Sequence, residues 1–216
     1  MAALPFTMRQ IMRFSSTILI TMTALTLSAC GPSANQGSSG QAGSTVISTG
    51  AAQIGGPFTL MDETGAVVTE AEFEGKATLV YFGFSFCPDV CPTALQKLGV
   101  AQERMGDAAK DVQFILVSVN PERDTLEQLA TYVTNNGFPE GLRGFTGTVE
   151  QIEAMKSAFK VYAQKVELED SAMGYTVDHQ DIVYLMGKDG NLAGYYGPRQ
   201  TPADIAIGVR KYLSNS

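Results

Sequence analysis

Two continuous apolar runs, residues 77–83 and 112–119, constrain the fold of this chain more than any other feature of its sequence. Both runs are short and almost entirely apolar, which is typical of strands buried on both faces of a sheet. Between them lie apolar residues at helical spacing: Leu95, Leu98, Ala101 and Met105. Parallel strands need a long crossover, usually a helix, so this order predicts an α/β fold.

The rest of the chain adds helices and strands to this pair. Helix start signals are predicted at Asp124 with Glu127, Thr148 with Gln151, and Thr201 before Pro202. Residues 182–186 and 192–196 predict two strands, joined by a turn at 188–191. The predicted order is β-α-β-α, an inserted αβ unit, then β-β-α, which gives a mixed central sheet flanked by helices.

Residues 1–29 have the pattern of an export signal, with Arg9 and Arg13 before an apolar stretch at 14–27. That stretch is too short for a bilayer span, which needs roughly 20 residues; an uncleaved anchor helix is the alternative. The segment ends in Leu27-Ser-Ala-Cys30, which resembles a bacterial lipobox. We therefore predict that Cys30 is acylated, that 30–56 is a flexible Gly/Ser linker, and that 57–216 is the folded domain.

The charge balance excludes some classes of partner. Removing residues 1–29 leaves 13 Lys and Arg against 22 Asp and Glu, a net charge of −9. An acidic domain without a basic cluster is unsuited to nucleic acid or to an anionic lipid surface. We expect membrane attachment through the lipid alone.

A cysteine pair follows the first apolar run directly, in Cys87-Pro-Asp-Val-Cys91-Pro. Pro92 suits the first turn of a helix, so Cys91 is expected near a helix N-terminus, where the helix dipole favours thiolate. The spacing suits a metal pair and also permits a disulfide, structural or redox-active. The spacing alone does not distinguish a metal site from a structural or a redox-active disulfide.

His179 is the single histidine, and it precedes the predicted strand at 182–186. If that strand lies beside the first run, the histidine faces the cysteines. Two thiolates and one imidazole suit copper; zinc uses the same donors but prefers a fourth in a closed site. We expect the donors to lie on accessible surface loops, with Asp178 as a partner that orients His179.

Several motifs together resemble the Sco/SenC family over about residues 58–213. They are Phe82-Gly-Phe-Ser-Phe-Cys-Pro-Asp-Val-Cys-Pro, Val117-Ser-Val-Asn-Pro-Glu-Arg-Asp-Thr, Leu142-Arg-Gly-Phe-Thr-Gly-Thr, and Tyr175-Thr-Val-Asp-His followed by Tyr184-Leu-Met-Gly-Lys-Asp-Gly. The resemblance implies a thioredoxin-like fold and copper ligands at Cys87, Cys91 and His179. It also implies a role at the dinuclear copper centre of cytochrome c oxidase.

The resemblance favours a metallochaperone over an enzyme, anchored at the periplasmic face of a bacterial membrane. Its partner would be the copper-bearing subunit of cytochrome c oxidase or another copper carrier. The alternative is a thiol-disulfide oxidoreductase that reduces the partner's copper-binding cysteines. Against this, the cysteine spacing is one residue longer than in thioredoxin, and Gln180-Asp181 stands where such enzymes carry a proline. A thiol peroxidase fits poorly, because the upstream residues of peroxidase motifs are missing.

One position departs from the family pattern. Asn120 stands where the family usually has Asp, and an amide cannot carry the negative charge of a carboxylate. Arg123 and Asp124, in the same motif, are expected to be a surface pair and a helix cap.

Overall fold

The computed structural model describes residues 53–169 and 171–216. The strands in this part of the chain are β1 Thr59–Asp62, β2 Val67–Thr69, β3 Ala77–Gly83, β4 Val112–Ser118, β5 Arg143–Thr146, β6 Ala163–Glu167, β7 Tyr175–His179, β8 Val183–Met186 and β9 Leu192–Tyr196. The α-helices are α1 Val90–Met105, α2 Leu126–Tyr132, α3 Val149–Phe159 and α4 Pro202–Asn215. Short 3-10 helices span Glu70–Phe73 and Gly106–Asp111.

Some predictions fall outside this part of the chain. The export signal at 1–29 and the acylation of Cys30 lie outside the described residues, as does most of the 30–56 linker. Of that linker, Gly55 is described, and its N–H donates to the carbonyl oxygen of Ala158 at 3.0 Å. No helix among the described residues has both the length and the apolar character required to cross a membrane.

Seven strands form one mixed sheet in the order β2-β1-β5-β4-β3-β8-β9. Strand β3 pairs parallel with β4, and β4 pairs parallel with β5, whereas β8 runs antiparallel to β3. The parallel pairs are joined through α1 and α2, as helical crossovers require. The predicted mixed central sheet is therefore confirmed, with β3 between β4 and β8.

Strand β3 is buried along its whole length, because helices cover both faces of the sheet at this point. The ring of Phe82 contacts the ring of Phe159 in α3, with centroids 5.2 Å apart. Neighbouring residues of a strand point to opposite faces, so Tyr81 and Gly83 face α1 instead. Helix α1 also packs against α4. The cysteine motif therefore begins just after the carboxyl end of β3, in the connection to α1.

Helix starts at Thr148 and Thr201 are confirmed, and each carries a complete capping box. The predicted start at Asp124 is wrong: Thr125 caps α2 and accepts from the N–H of Gln128. The side chain of Asp124 is buried and bonded elsewhere, so it is not available to α2.

Two hairpins were not predicted. Strands β1 and β2 pair at one edge of the main sheet, and β6 and β7 form a separate two-stranded sheet. In the second hairpin Ala163 pairs with His179 and Glu167 pairs with Tyr175. Val177 is its one buried residue, so the hairpin shows little of the apolar alternation that marks a strand.

Candidate metal centre

The two cysteines occupy the connection from β3 to α1. Cys87 lies in the loop and is half-buried, whereas Cys91 is the second residue of α1 and is fully buried. The N–H of Cys91 points at the sulfur of Cys87 at 3.4 Å. Both residues are free thiols. The first turn of α1 therefore brings both sulfurs to the carboxyl end of β3.

Gly83, the last residue of β3, lets the buried sulfur approach the strand. A Cβ at this position would lie 3.0 Å from Sγ of Cys91 and 2.9 Å from Cε1 of Tyr81. Both distances are shorter than ordinary contacts, so any larger residue would displace the sulfur or the ring.

His179 is the last residue of β7, and its ring is held by aromatic neighbours. Its centroid lies 5.7 Å from that of Phe84 and 6.2 Å from that of Tyr81, both edge-on. Nδ1 lies 3.1 Å from the carbonyl oxygen of Gln180. A carbonyl oxygen only accepts, so this contact places the proton on Nδ1 and leaves the lone pair on Nε2. Nε2 in turn lies 3.2 Å from Sγ of Cys91.

The structure thus brings together three donor atoms that the sequence places far apart. The sulfurs of Cys87 and Cys91 and a ring nitrogen of His179 all lie within 4.8 Å of one another. Among the described residues, this is the one cluster of three or more His, Cys, Asp or Glu side chains close enough to hold a metal ion. The expectation that all donors lie on surface loops is wrong, because Cys91 is buried in a helix and His179 ends a strand.

The two thiols differ in acidity. The hydrogen bond from Cys91 lowers the pKa of Cys87 to about 4; burial opposes this shift, and backbone N–H groups add to it. The pKa of Cys91 is raised, through its bond to Cys87 and through burial. The helix N-terminus was expected to favour thiolate at Cys91, but the bond to Cys87 and burial raise the pKa of Cys91, and Cys87 is the more acidic of the two thiols.

Two other predicted residues occupy different surroundings. Asp178 is exposed on β7, and the His179 ring contacts the carbonyl oxygen of Gln180 at Nδ1.

Asn120 is 4 % exposed; its Oδ1 accepts from the hydroxyl of Tyr175 at 2.9 Å, while its Nδ2 has no partner in the described part of the chain. An aspartate here would offer the same acceptor to Tyr175 but would bring a charge into the interior.

The expectation of a surface pair at Arg123 and Asp124 is wrong. Asp124 is 1 % exposed and accepts from the hydroxyls of Ser85 and Ser118, both at 2.6 Å. The guanidinium of Arg123 lies 3.4 Å from the ring centroid of Tyr175. Nothing local in the sequence reveals these contacts, because Ser85 and Tyr175 are both distant along the chain.

Comparisons with known proteins identify relatives of this chain. The chain is 41% identical over 167 residues to the mitochondrial protein SCO1 homolog 1 of Arabidopsis thaliana, covering 77% of this chain and 49% of that protein. It is 37% identical over 165 residues to the human mitochondrial SCO1 homolog, covering 74% of this chain and 53% of the relative. The chain therefore spans about half the length of these curated relatives.

Solved structures match the domain more completely. The crystal structure of Arabidopsis thaliana ScoI with copper bound has a TM-score of 0.70 and 40% identity, over 76% of this chain and 99% of that one. Bradyrhizobium japonicum ScoI with copper bound gives a TM-score of 0.67 and 39% identity, over 74% and 99% of the two chains. The predicted thioredoxin-like fold is confirmed by these similarities. The SCO1/SenC family model matches residues 47–214, and the chain belongs to that family.

Proposed function

We propose that this chain is a copper-binding metallochaperone that supports assembly of the dinuclear copper centre of cytochrome c oxidase. One copper ion would be held by the sulfurs of Cys87 and Cys91 and by Nε2 of His179. The observation that carries this proposal is the convergence of the three donors within 4.8 Å. Relatives at 40% and 39% identity have been solved with copper bound.

The donor chemistry favours copper over other metals. Thiolates select Cu(I), and imidazole is a good ligand for both oxidation states of copper. Structural zinc is almost always four-coordinate, and a fourth His, Cys, Asp or Glu donor is absent from the cluster in the described part of the chain. Two thiolates and one imidazole therefore match copper better than a closed zinc site.

The unequal burial of the sulfurs suits transfer to another protein. Cys87 is half-buried and Cys91 is fully buried, so an incoming thiolate would reach copper from the Cys87 side. The recipient would be the copper-bearing subunit of cytochrome c oxidase or another copper carrier. Acylation of Cys30 would hold the domain at the periplasmic face of a bacterial membrane, near such a partner.

Anaerobic titration with Cu(I), and then with Cu(II), tests the proposal. All proteins would carry Cys30→Ser, so that Cys87 and Cys91 are the only thiols among the three cysteines of the chain. We expect one tight equivalent of copper and a sulfur-to-copper absorption band in the Cu(II) form. Cys87→Ala, Cys91→Ala and His179→Ala should each weaken binding.

The matched control is Asp178→Ala, which removes an exposed side chain beside His179 and should leave the titration unchanged. Unaltered copper binding in His179→Ala would remove the imidazole from the site. Failure of the Cys30→Ser protein itself to bind copper would overturn the proposal.

A second function is favoured by the acidity of Cys87. A half-buried thiolate beside a buried thiol is the arrangement that attacks disulfides in thiol-disulfide exchange. A relative at 27% identity is described as a member of the Sco family with a disulfide switch. If the reduced chain binds no copper but rapidly reduces a disulfide-bonded peptide, this oxidoreductase role replaces the chaperone role.

A further inference from the structure

A tight turn at residues 120–124 follows β4. It contacts both the loop that leads to the cysteines and the hairpin that carries His179. The carbonyl oxygen of Asn120 accepts from the N–H groups of Arg123 and Asp124, both at 3.0 Å. The N–H of Asn120 donates to the hydroxyl of Ser118 at 3.0 Å. The turn is therefore fixed to the end of β4, and its side chains leave it in defined directions.

One side of the turn holds the cysteine loop. Asp124 accepts from the N–H of Ser85 at 3.2 Å and from its hydroxyl at 2.6 Å. Ser85 stands two residues before Cys87 and directly after Phe84, whose ring packs against His179. Asp124 has no cationic partner among the ion pairs of the described residues. A buried carboxyl group without such a partner is costly, so stability alone is a weak explanation for it.

The other side of the turn holds the histidine hairpin. Arg123 donates to the carbonyl oxygens of Met173 at 2.6 Å and Tyr175 at 3.1 Å, and its guanidinium stacks on the Tyr175 ring. The hydroxyl of Tyr175 donates to Oδ1 of Asn120 at 2.9 Å. Tyr175 begins β7, and His179 ends it.

The hairpin needs this attachment because β6 and β7 do not pair with the seven-stranded sheet. Besides the turn, Lys156 of α3 donates to the carbonyl oxygen of Ala163 at 3.1 Å, and Val177 is buried. At the other end of β7, the His179 ring packs against Phe84 and Tyr81. The contacts of Arg123 and Asn120 with Tyr175 are thus a large part of what places His179 opposite the sulfurs.

We infer that the 120–124 turn is the positioning element of the metal centre. Asp124 sets the cysteine loop, Arg123 sets the hairpin that carries His179, and the turn fixes one to the other. The inference rests on the copper-binding function proposed above. Because one segment holds both donor sets, fewer groups need to be ordered when copper binds, which lowers the free-energy cost of binding.

A double-mutant cycle tests the role of Arg123, again in the Cys30→Ser background. Loss of a residue that orients a metal ligand typically costs about 10–100-fold in affinity, and we expect Arg123→Gln to weaken Cu(I) binding by about tenfold. Adding Arg123→Gln to His179→Ala should then cause no further loss, because Arg123 acts through the imidazole. Equal losses in both backgrounds would overturn the inference.

Asp124→Asn tests the other half of the inference, the hold of the turn on the cysteine loop. Since Asp124 acts through that loop, the substitution should weaken Cu(I) binding in the His179→Ala background as well. It should also shift the sulfur-to-copper absorption band. The matched control is Arg143→Gln, because Arg143, like Arg123, lies over an aromatic ring, here that of Phe145, but it lies on β5 and pairs with acids there. It should lower stability and leave copper affinity unchanged; a loss equal to that of Arg123→Gln would contradict a specific role for the turn.

Hydrogen exchange of the metal-free protein separates this inference from the proposed function. Arg123→Gln should accelerate amide exchange in the 163–179 hairpin and leave β3 and β4 unchanged. If Arg123→Gln folds poorly, Arg123→Lys keeps a cation over Tyr175 but loses the paired donors, and it should give a smaller acceleration in the same hairpin. Unchanged exchange in the hairpin would overturn the positioning role, whereas a wild-type site that binds no copper would defeat the proposed function alone.

Discussion

Nε2 of His179 lies 3.2 Å from Sγ of Cys91, although the two residues are 88 positions apart in the chain. A metal with bonds of about 2.3 Å to sulfur and about 2.0–2.1 Å to nitrogen, at an angle of about 110–120°, would hold these atoms roughly 3.5–3.8 Å apart. The two donors are therefore within about 0.3–0.6 Å of that separation. The contact is close to the geometry that a bound ion would impose.

The acidity of Cys87 predicts an unusual pH dependence of alkylation in the metal-free protein. Its pKa of about 4 lies well below the ordinary value of 9.0, so the thiolate is the main form throughout the neutral range. We expect the rate of Cys87 modification by iodoacetamide to stay nearly constant from roughly pH 6 to pH 8. An ordinary thiol would react about tenfold faster for each pH unit over this range. Peptide mapping by mass spectrometry assigns the rate to Cys87.

The control for this prediction is Cys91→Ala, which removes the principal hydrogen-bond donor to the Cys87 sulfur. Its Cys87 should regain a rate that rises with pH. A steep rise in the wild-type protein would show that the thiolate is not stabilised by Cys91.

Gly83→Ala should disturb the site from the strand side. The added Cβ would lie 3.0 Å from Sγ of Cys91 and 2.9 Å from Cε1 of Tyr81, so one of the two groups must move. Overpacking of this kind typically costs about 1–3 kcal/mol, and we expect a loss of that size in the free energy of unfolding. Copper affinity should fall as well, because the sulfur is displaced. Urea denaturation and Cu(I) competition measure the two effects.

Gly197→Ala is the matched substitution, since its Cβ would meet only Oε1 of Gln200 at 3.5 Å. This substitution should leave both the free energy of unfolding and the copper affinity nearly unchanged. If Gly83→Ala behaved like Gly197→Ala, close approach of the strand to Cys91 would not matter for the site.

The sequence predicted the elements whose burial is continuous. Strands β3 and β4 are almost entirely apolar and, except for Gln113, buried, because both faces are covered. A continuous apolar run of this kind can be recognised from the strand's own residues. The donors were also accessible to prediction, because the chain has one histidine and its cysteine motif resembles a known family. The β6–β7 hairpin gave no comparable signal, since Val177 is its one buried residue.

Asp124 shows why local patterns mislead where a side chain makes tertiary contacts. An aspartate three residues before a glutamate is typical of a helix N-terminus, and α2 does begin nearby. The carboxyl group instead bonds Ser85, which lies 39 positions earlier in the chain. Tertiary contacts of this kind depend on how β3 and β4 align, and no local motif encodes them.

Asp62 predicts how stability depends on pH. Burial alone would raise the pKa of this carboxyl group, but hydrogen bonds from Thr64, Arg143 and the N–H of Ala66 outweigh burial and lower the pKa to about 2. The unfolded chain has the ordinary value of 3.8, so ionised Asp62 stabilises the fold above about pH 4 and this contribution is lost as the pH falls towards 2. We expect Asp62→Asn to lower the free energy of unfolding by about 2 kcal/mol at neutral pH.

Urea denaturation of wild type and variant at several pH values measures this difference. The gap between Asp62→Asn and wild type should narrow as the pH is lowered from 5 to about 3, because protonation removes the same charge from the wild type. Asp107→Asn is the control: its carboxylate pairs with Lys110 on the surface, with 96 % of the Asp107 side chain exposed, so stability should not change. A pH-independent gap for Asp62→Asn would mean that its loss of stability comes from packing and not from the charge.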